Sequence, residues 1–497
     1  MTDMKYQFRT KPFKHQLEEF RDHKCDPFRA IFWEQGTGKT KVTADTAAWH
    51  FNLGTINAIL ILAPNGVHRN WISEELPKHL PKDILARTKM HTYQTSKHAT
   101  KWHEAALKGL WSHHGLIILA MSYDAIMTEH GKAAAWTILR DRDCFYIADE
   151  SARIKTPGAK RTKRVVASAK HAPFRRVLTG TPVSNSPFDV YSQLLFLDPE
   201  IWKRHGIQTF LGFKTTFGIW EQRILKDGAQ FKELMGYKHL DKLKEIVDSV
   251  STRKTKDEVL DLPPKLYTRR YFDLETAQRK LYNELLEDYM TFLDSGELIT
   301  AELAIVRLLR LQQICCGYIP PDGENEPARD ICKVNPRLNL LKELTEDLPH
   351  KAIIWARFVR DIDLITALLG NDAVRYDGST DDDQRADAIE RFQRGDAKFF
   401  VANAQAAGEG LTLTAARTVI YYSNSFKLSE RLQSEDRAHR IGQEHPVNYI
   451  DIIAAGTVDE HIVKSLASKF DLASKITGDQ VRNWYEQGIC NSESTGA

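Results

Sequence analysis

EQGTGKT, residues 34–40, packs two glycines, a lysine and a threonine into seven positions. The fold turns on whether this stretch is a phosphate cradle or a flexible turn. It follows a short apolar run, RAIFW (29–33), and leads into a helical pattern beginning near Lys39. A strand that ends in a glycine-rich loop and opens a helix is the setting a phosphate loop requires. Gly36 and Gly38, with Thr37 between them, let backbone N–H groups turn toward an anion without Cβ obstruction. The helix N-terminus adds the positive end of its dipole. Lys39 would reach the β- and γ-phosphates, and Thr40 would hold Mg²⁺. The strict pattern has glycine at position 33, where this chain has Trp33, which we read as a subtype of the loop.

A phosphate loop also needs a metal-holding acid at the end of a neighbouring strand. CFYIADE (144–150) supplies one about 110 residues further on. There Asp149 would hold Mg²⁺ through water and Glu150 would polarise the attacking water. Upstream, FKHQ places Gln16 before the first strand, and a Gln amide can pair with the N6/N7 edge of adenine.

The surrounding pattern fits an α/β chain. NAILILA (57–63), GLIILA (115–120), CFYIA (144–148) and RRVLT (175–179) read as buried parallel strands, as does RAIFW, with helical crossovers such as 39–52 between them. The alternation recurs in AIIWA (352–356), KFFVA (398–402), TVIYY (418–422) and VNYIDII (447–453), with a capping-box helix start at 380–383 between the first two. Two parallel α/β sheets in tandem are expected. Between them, about 190–250 and 275–316 carry helical periodicity. LDKLKEIVDSV puts Leu240, Leu243, Val247 and Val250 on one face, and AELAIVRLLRLQQICC is apolar nearly all round. DLPPK (261–265) reads as a rigid crossover. The expected boundaries are a first lobe at 1–190, a helical insertion at 191–250, a crossover at 251–270, a second insertion at 271–330, a second lobe at 331–470 and a tail at 471–497.

Bulk properties narrow the class. Hydrophobic residues are 42% of 497 and charged residues 27%, an ordinary globular balance. MTDMKYQFRT lacks the apolar segment of a signal peptide, and runs such as AILILA fall far short of the ~20 residues that cross a bilayer. A cytoplasmic, non-secreted protein is expected. Six cysteines without a CxxC pair argue against a zinc ribbon, and vicinal Cys315-Cys316 reads as buried packing. The net charge is only +3, yet Ser151–Arg176 holds nine Lys or Arg and no acid. Such a run is either a solvated face or a phosphate-contacting surface.

QSEDRAHRIGQ (433–443) separates the remaining options. On one continuous helix, Gln433, Arg437 and Arg440 would share a face. Two guanidiniums presented together suit a γ-phosphate transition state, and a second sheet carrying them implies a cleft that hydrolysis opens and closes.

At this point the residues resemble the Swi/Snf type of DNA translocase within helicase superfamily two, from about Lys11 to Ile462. EQGTGKT resembles that family's nucleotide loop, APNGVHRNWISEEL (63–76) its first DNA-contact block and DESARIKT (149–156) its Mg²⁺ motif. LTGTPVSN (178–185) is similar to its coupling motif and STRKTKDEVLDLPPK (251–265) to its interlobe stretch. AGEGLTLTAARTVIYY (407–422) and DRAHRIGQ (436–443) are similar to its last two motifs. The resemblance implies two RecA-like lobes with helical insertions, hydrolysis of ATP with Mg²⁺, and tracking along double-stranded DNA, forked or branched forms included. Carried onto matching positions, Gln16, Gly36, Thr37, Gly38, Lys39, Thr40, Gly410 and Gln433 would hold the nucleotide. Asp149 and Glu150 would act at metal and water, and Arg437 and Arg440 would reach in from the second lobe. Thr179, Gly180 and Thr181 would couple nucleotide state to grip on DNA. Asn65, Ser122, Tyr123, Lys155 and Thr412 would touch DNA. The family usually has His where this chain has Ala152, so altered coupling is expected. With no reader domain, zinc module or long tail recognised, a nucleosome-specific role is not expected. Two other readings stand beside this one: a strand-separating helicase on DNA or RNA, and a degenerate motor acting as a nucleic-acid clamp.

Overall fold

The computed structural model describes residues 6–224, 230–294, 301–319, 328–405 and 411–479. Gly410 and the tail beyond Asp479 lie outside them. Two compact units emerge. Among the described residues, the first runs to Gly218, resumes over Tyr237–Asp261 and takes in 472–479; the second holds Ile219–Gly236 and Leu262–Asp471.

The first unit is built on a parallel sheet. Its strands are β1 (Phe28–Trp33), β2 (Ala58–Ala63), β3 (Thr88–Thr92), β4 (Leu116–Ser122), β5 (Cys144–Asp149) and β6 (Phe174–Leu178). A separate two-stranded ribbon, β7 (Gly218–Ile224) and β8 (Gln230–Tyr237), grouped mostly with the second unit, precedes the first unit's β9 (Ser251–Lys254). Among the described residues the sheet order is β3-β4-β2-β5-β6-β1-β9. Because helices cover both faces, central β2 is apolar on every residue, and β4 and β5 are apolar up to Ser122 and Asp149 at their carboxyl ends. In β2, Ala58, Leu60 and Leu62 enter one core while Ile59, Ile61 and Ala63 enter the other. Each such Leu or Ile, fully buried, is worth roughly 1.5–3 kcal/mol.

The second unit repeats the plan with β10 (Lys265–Phe272), a short ribbon of β11 (Tyr318–Ile319) and β12 (Arg329–Asp330), then β13 (Ala352–Trp355), β14 (Ala373–Tyr376), β15 (Phe399–Ala402), β16 (Thr418–Tyr421) and β17 (Val447–Ala454). Its parallel sheet runs β10-β17-β16-β13-β15-β14. Ile353 and Trp355 of β13 pack into one core, Ala352 and Ile354 into the other.

All nine apolar strands read from the sequence are present, but four assignments need correction. Segment 251–270 is not simply a crossover: β9 pairs with β1, and β10 pairs with β17. Both are edge strands, so neither needs an apolar run on two faces, and STRK and KLYTRRYF carry none. Region 191–250 is not all helical, since it contains the β7–β8 ribbon, with exposed Ile224 and Phe231. Between β13 and β15 lies the expected helix, Asp382–Gln393, preceded by the helix Val359–Leu369 and by β14. The capping box there is real but sits one residue later, with Asp381 accepting from the Gln384 N–H at 2.8 Å. The helix Val458–Thr477 runs through the expected lobe–tail boundary at 470.

Two further expectations meet the same test. The helix Ala301–Cys315 buries Leu311, Ile314 and Cys315 but leaves Ile305 and Val306 exposed. Cys315 and Cys316 are fully buried, and burial pushes both thiols well up, consistent with packing.

Candidate nucleotide site

The glycine-rich loop lies where β1 ends and the helix Lys39–Asn52 begins. Gly36 and Gly38 have φ of 81° and 86°, the left-handed region that side chains avoid. At Gly38 space is also closed: a Cβ would come within 2.0 Å of the Gln16 amide nitrogen. Gln16 Nε2 donates to the Gly38 carbonyl at 3.2 Å, and its Oε1 accepts from Phe13 N–H at 2.9 Å. The residue expected to read adenine thus clamps the loop in this state. His15, kept neutral by burial, meets the Thr37 carbonyl at 2.8 Å. Trp33, in place of the pattern's glycine, is fully buried, and its indole N–H donates to Thr252 of β9 at 3.0 Å. The added edge strand explains how the site accommodates that ring.

Lys39 is 8% exposed, and its amine donates to the carbonyls of Trp33 (2.9 Å) and Glu34 (3.2 Å). Thr40 is half-buried in the first turn of the helix. At the end of β5, Asp149 accepts from Trp71 Nε1 at 2.8 Å and from the Glu150 N–H at 3.0 Å. Burial, and then the neighbouring Glu150 charge, raise the Asp149 carboxyl to about 6. Glu150 sits at φ 48°, unusual for a residue with a side chain. Its carboxylate accepts from Gln35 Nε2 at 3.1 Å on one oxygen and from Thr179 Oγ1 at 3.2 Å on the other.

That pair of bonds joins three loops. Gln35 belongs to the glycine-rich loop, Glu150 to the acidic pair and Thr179 to LTGTPVSN. Gly180 packs so closely that a Cβ would stand 3.3 Å from the Gln35 nitrogen, and Thr181 N–H bonds Thr179 Oγ1 at 3.1 Å. A second tie runs from Ser151 Oγ to Gln193 (2.6 Å), whose amide donates to the Pro182 and Asp189 carbonyls (both 2.8 Å). Two ties between DESARIKT and LTGTPVSN, where coupling is expected, thus do not use position 152. Gln35, Trp71 and Gln193 were missed by sequence reasoning. Gln35 lay inside the quoted loop and Trp71 inside APNGVHRNW, whereas Gln193 has no local signal.

Several candidate nucleic-acid residues are placed differently from expectation. Ser122 and Tyr123 are buried: Ser122 Oγ caps the Ala125 N–H at 3.1 Å and Tyr123 OH donates to the Asp149 carbonyl at 2.8 Å. Lys155 is held by Ser184 and Asp189. Asn65 is exposed, donating to Asp124 at 3.4 Å, and Thr412 is half-buried in the second unit. Nor is the basic run one surface. Arg175 and Arg176 are buried, bonding backbone carbonyls, Arg161 pairs with Asp124, and Arg164 bonds the Ile126 and Met127 carbonyls. Lys160, Lys163 and Lys170 are exposed.

In the second unit the arginine helix spans Leu428–Ala438, so Arg440 is not on it. His439 leaves helical geometry and bonds the Pro263 carbonyl at 2.7 Å, while Gln443 reaches back to the Ala438 carbonyl at 3.1 Å. The shared helix face is thus a correction, but the two guanidiniums still meet: Arg437 and Arg440 both donate to the Leu411 carbonyl, at 3.3 and 3.2 Å. Gln433 is half-buried on that helix.

Donor chemistry fits Mg²⁺. Asp149, Glu150 and the Thr40 hydroxyl offer hard oxygen atoms; the groups that hydrogen-bond Asp149 are neutral, and the nearby Lys39 charge offsets only part of the burial that raises its carboxyl. Mg²⁺ typically takes one or two carboxylates together with substrate phosphates. Loop, lysine and acidic pair at the carboxyl ends of a parallel sheet define a phosphate-loop nucleotide-binding protein.

Comparison with known proteins refines this. The SNF2-related domain matches residues 11–318, and the helicase conserved C-terminal domain matches residues 336–442. The chain belongs to the SNF2-related family. Similar proteins include the mouse (Mus musculus) chromodomain-helicase-DNA-binding protein 1-like, 27% identical over 89% of this chain and 47% of that protein. The fission yeast (Schizosaccharomyces pombe) ATP-dependent helicase fft1 is 25% identical over 90% of this chain and 50% of its own. The chain thus spans about half the length of the curated relatives it matches. Among solved structures, the Sulfolobus solfataricus SWI2/SNF2 ATPase core in complex with dsDNA covers 95% of both chains at 24% identity, with a TM-score of 0.41.

Proposed function

We propose that this chain is an ATP-driven motor that hydrolyses ATP·Mg²⁺ and tracks along double-stranded DNA. The observation that carries the reading is the Glu150 carboxylate, held between Gln35 of the phosphate loop and Thr179 of LTGTPVSN. A carboxylate held there would orient an attacking water, and its displacement on hydrolysis would move both loops. Lys39 would exchange its two carbonyl partners for phosphate oxygens, while the backbone around Gly36 and Gly38 cradles them. Mg²⁺, when bound, neutralises charge developing on the phosphates. Thr40 and Asp149 would hold it, and Arg437 and Arg440 would stabilise the transition state from the second lobe, typically worth ~10³–10⁵ in rate. Gln16 would be released from Gly38 as the base arrives. Asn65 and Thr412 are the DNA contacts this reading retains.

A second reading, strand separation, has one observation in its favour. The β7–β8 ribbon exposes Ile219, Ile224, Phe231 and Met235, apolar side chains that could stand between unstacked bases. One set of experiments separates the two: ATPase rates with duplex, single-stranded and forked DNA and with RNA, beside triplex-displacement and unwinding assays. The motor reading expects duplex DNA to stimulate most, with triplex displacement and no unwinding. Unwinding of a plain duplex would install the second reading, and a protein that no polynucleotide stimulates would sink both.

A further inference from the structure

The two segments bearing candidate DNA-contact residues, 63–76 and 120–126, each send one buried side chain to the same residue. Trp71 Nε1 donates to Asp149 Oδ2 and Tyr123 OH to the Asp149 backbone carbonyl, both at 2.8 Å. These side chains are only 1% and 2% exposed, whereas Asn65, Arg69 and Asp124, a few residues away, are exposed. Each segment thus has one end at the surface and the other on the acidic pair.

The backbone around Trp71 is also unusual. The helical stretch beginning at Val67 passes through a π turn, Trp71–Glu75, in which Leu76 N–H reaches the Trp71 carbonyl. Pro77 supplies the cause, since it lacks the N–H that would bond the Ser73 carbonyl four residues back. Wide turns of this kind cluster at functional sites. A tryptophan serving only to fill the core could bond any carbonyl. This one bonds a carboxylate oxygen at a candidate metal ligand, where such a partner sets ligand orientation and typically governs metal affinity.

We propose that Trp71 and Tyr123 are positioning residues that link the two outer segments to Asp149, Trp71 by aiming its carboxylate and Tyr123 by holding its backbone. The proposal rests on the reading of Asp149 as the Mg²⁺ ligand. Engagement of Asn65 or Arg69 by a phosphate backbone would shift the segment 63–76, and the indole would carry that shift to the carboxylate. DNA would then stimulate turnover by completing the metal site rather than by improving nucleotide binding.

The test uses the full chain carrying Trp71→Phe, Tyr123→Phe or, as a packing control, Leu76→Ala. Three quantities are read: the Mg²⁺ concentration that half-saturates binding of a fluorescent mant-ADP probe without DNA, kcat and KM for ATP with and without duplex DNA, and duplex affinity without nucleotide. Trp71→Phe is expected to raise the Mg²⁺ half-saturation point ~10–100-fold and to lose most DNA stimulation, with duplex affinity within about twofold of wild type. Tyr123→Phe, which removes a hydroxyl alone, is expected to cut the stimulated kcat at unchanged KM. Leu76→Ala should lower thermal stability without either effect. The proposal is overturned if the folded Trp71 variant keeps a wild-type Mg²⁺ response, or if Leu76→Ala reproduces the loss; should Trp71→Phe fail to fold, an unaltered stimulated kcat in Tyr123→Phe overturns it. If wild type itself shows no DNA stimulation, the DNA reading fails separately, and the Mg²⁺ titration still decides the role of Trp71.

Discussion

The carboxyl ends of the two sheets treat buried charge in opposite ways. In the first lobe Asp149 and Glu150 stand side by side, held by neutral donors, and burial with mutual repulsion lifts Asp149 to about 6. In the second lobe Asp361, bonded to Ser423 at 2.9 Å, is likewise raised by burial to about 6, but the acids around Arg431 have cations. Arg431 pairs with Glu435 at 2.9 Å and Asp451 at 2.5 Å, and Lys265 meets Glu435 at 3.0 Å. Burial alone would raise Glu435, yet Lys265 and Arg431 draw it down to about 2. Beside that network a partly open pocket of about 380 Å³ is lined by Trp355, Phe358, Tyr421 and Phe426. The lesson concerns these two clusters rather than whole lobes, since the first lobe also buries the Lys41–Asp45 pair: the acidic pair is bonded by neutral donors with Lys39 as a nearby charge, whereas the Arg431 network is neutralised in place. Charge left short of partners at a functional site is a recurrent trade of stability for activity.

Substitutions in both lobes test that contrast. The largest effects concern turnover: Lys39→Ala is expected to abolish ATP hydrolysis, and Arg440→Ala to slow single-turnover hydrolysis by ~10³ or more with ATP affinity retained. Normal chemistry with collapsed affinity would remove Arg440 from the transition state. Next, Arg431→Met strands Asp451 in the core of the second lobe and leaves Glu435 with Lys265 as its remaining cation. It should cost about 3–5 kcal/mol in denaturant unfolding; a loss below about 1 kcal/mol would mean that pairing does little there.

Glu150→Gln should act in the opposite sense on stability while stopping turnover. Because the folded-state pKa of Asp149 is raised from 3.8 to about 6, its contribution is most favourable below the lower value and is lost as pH rises through the higher one. Removing the Glu150 charge relieves one cause. The ligand-free variant should therefore gain on the order of 1 kcal/mol at pH 7–8 and nothing near pH 3.5. A gain independent of pH would point elsewhere. The smallest effect is expected on the first lobe's surface, where reversing exposed Lys160 and Lys163 should reduce the salt slope of DNA binding by at most ~2. Reversing Arg164 should instead destabilise the fold, since it holds two backbone carbonyls.

How far the molecule was legible follows from range. Strands such as AILILA, buried on both faces, announce themselves by composition, and the loop at 34–40 by glycine and lysine spacing. β9 and β10 did not, because an edge strand packed on one side needs no apolar signature and gains its identity from a partner over 150 residues away. The arginine pair shows the same limit: their types were readable, but the helix end at Ala438 depends on His439 finding Pro263 and on Gln443 turning back, contacts absent from the local pattern.

By itself, then, the sequence determined two tandem parallel sheets, a phosphate loop, an acidic pair and the family pattern, since these rest on local periodicity and on residues a few positions apart. Only tertiary structure decided that Gln35 and Thr179 grip Glu150 and that Trp71 and Tyr123 converge on Asp149. It also decided that most of the basic run is spent on carbonyls and acids. Each of these is a hydrogen bond between segments distant in the chain, and its existence depends on where separate strands end in space.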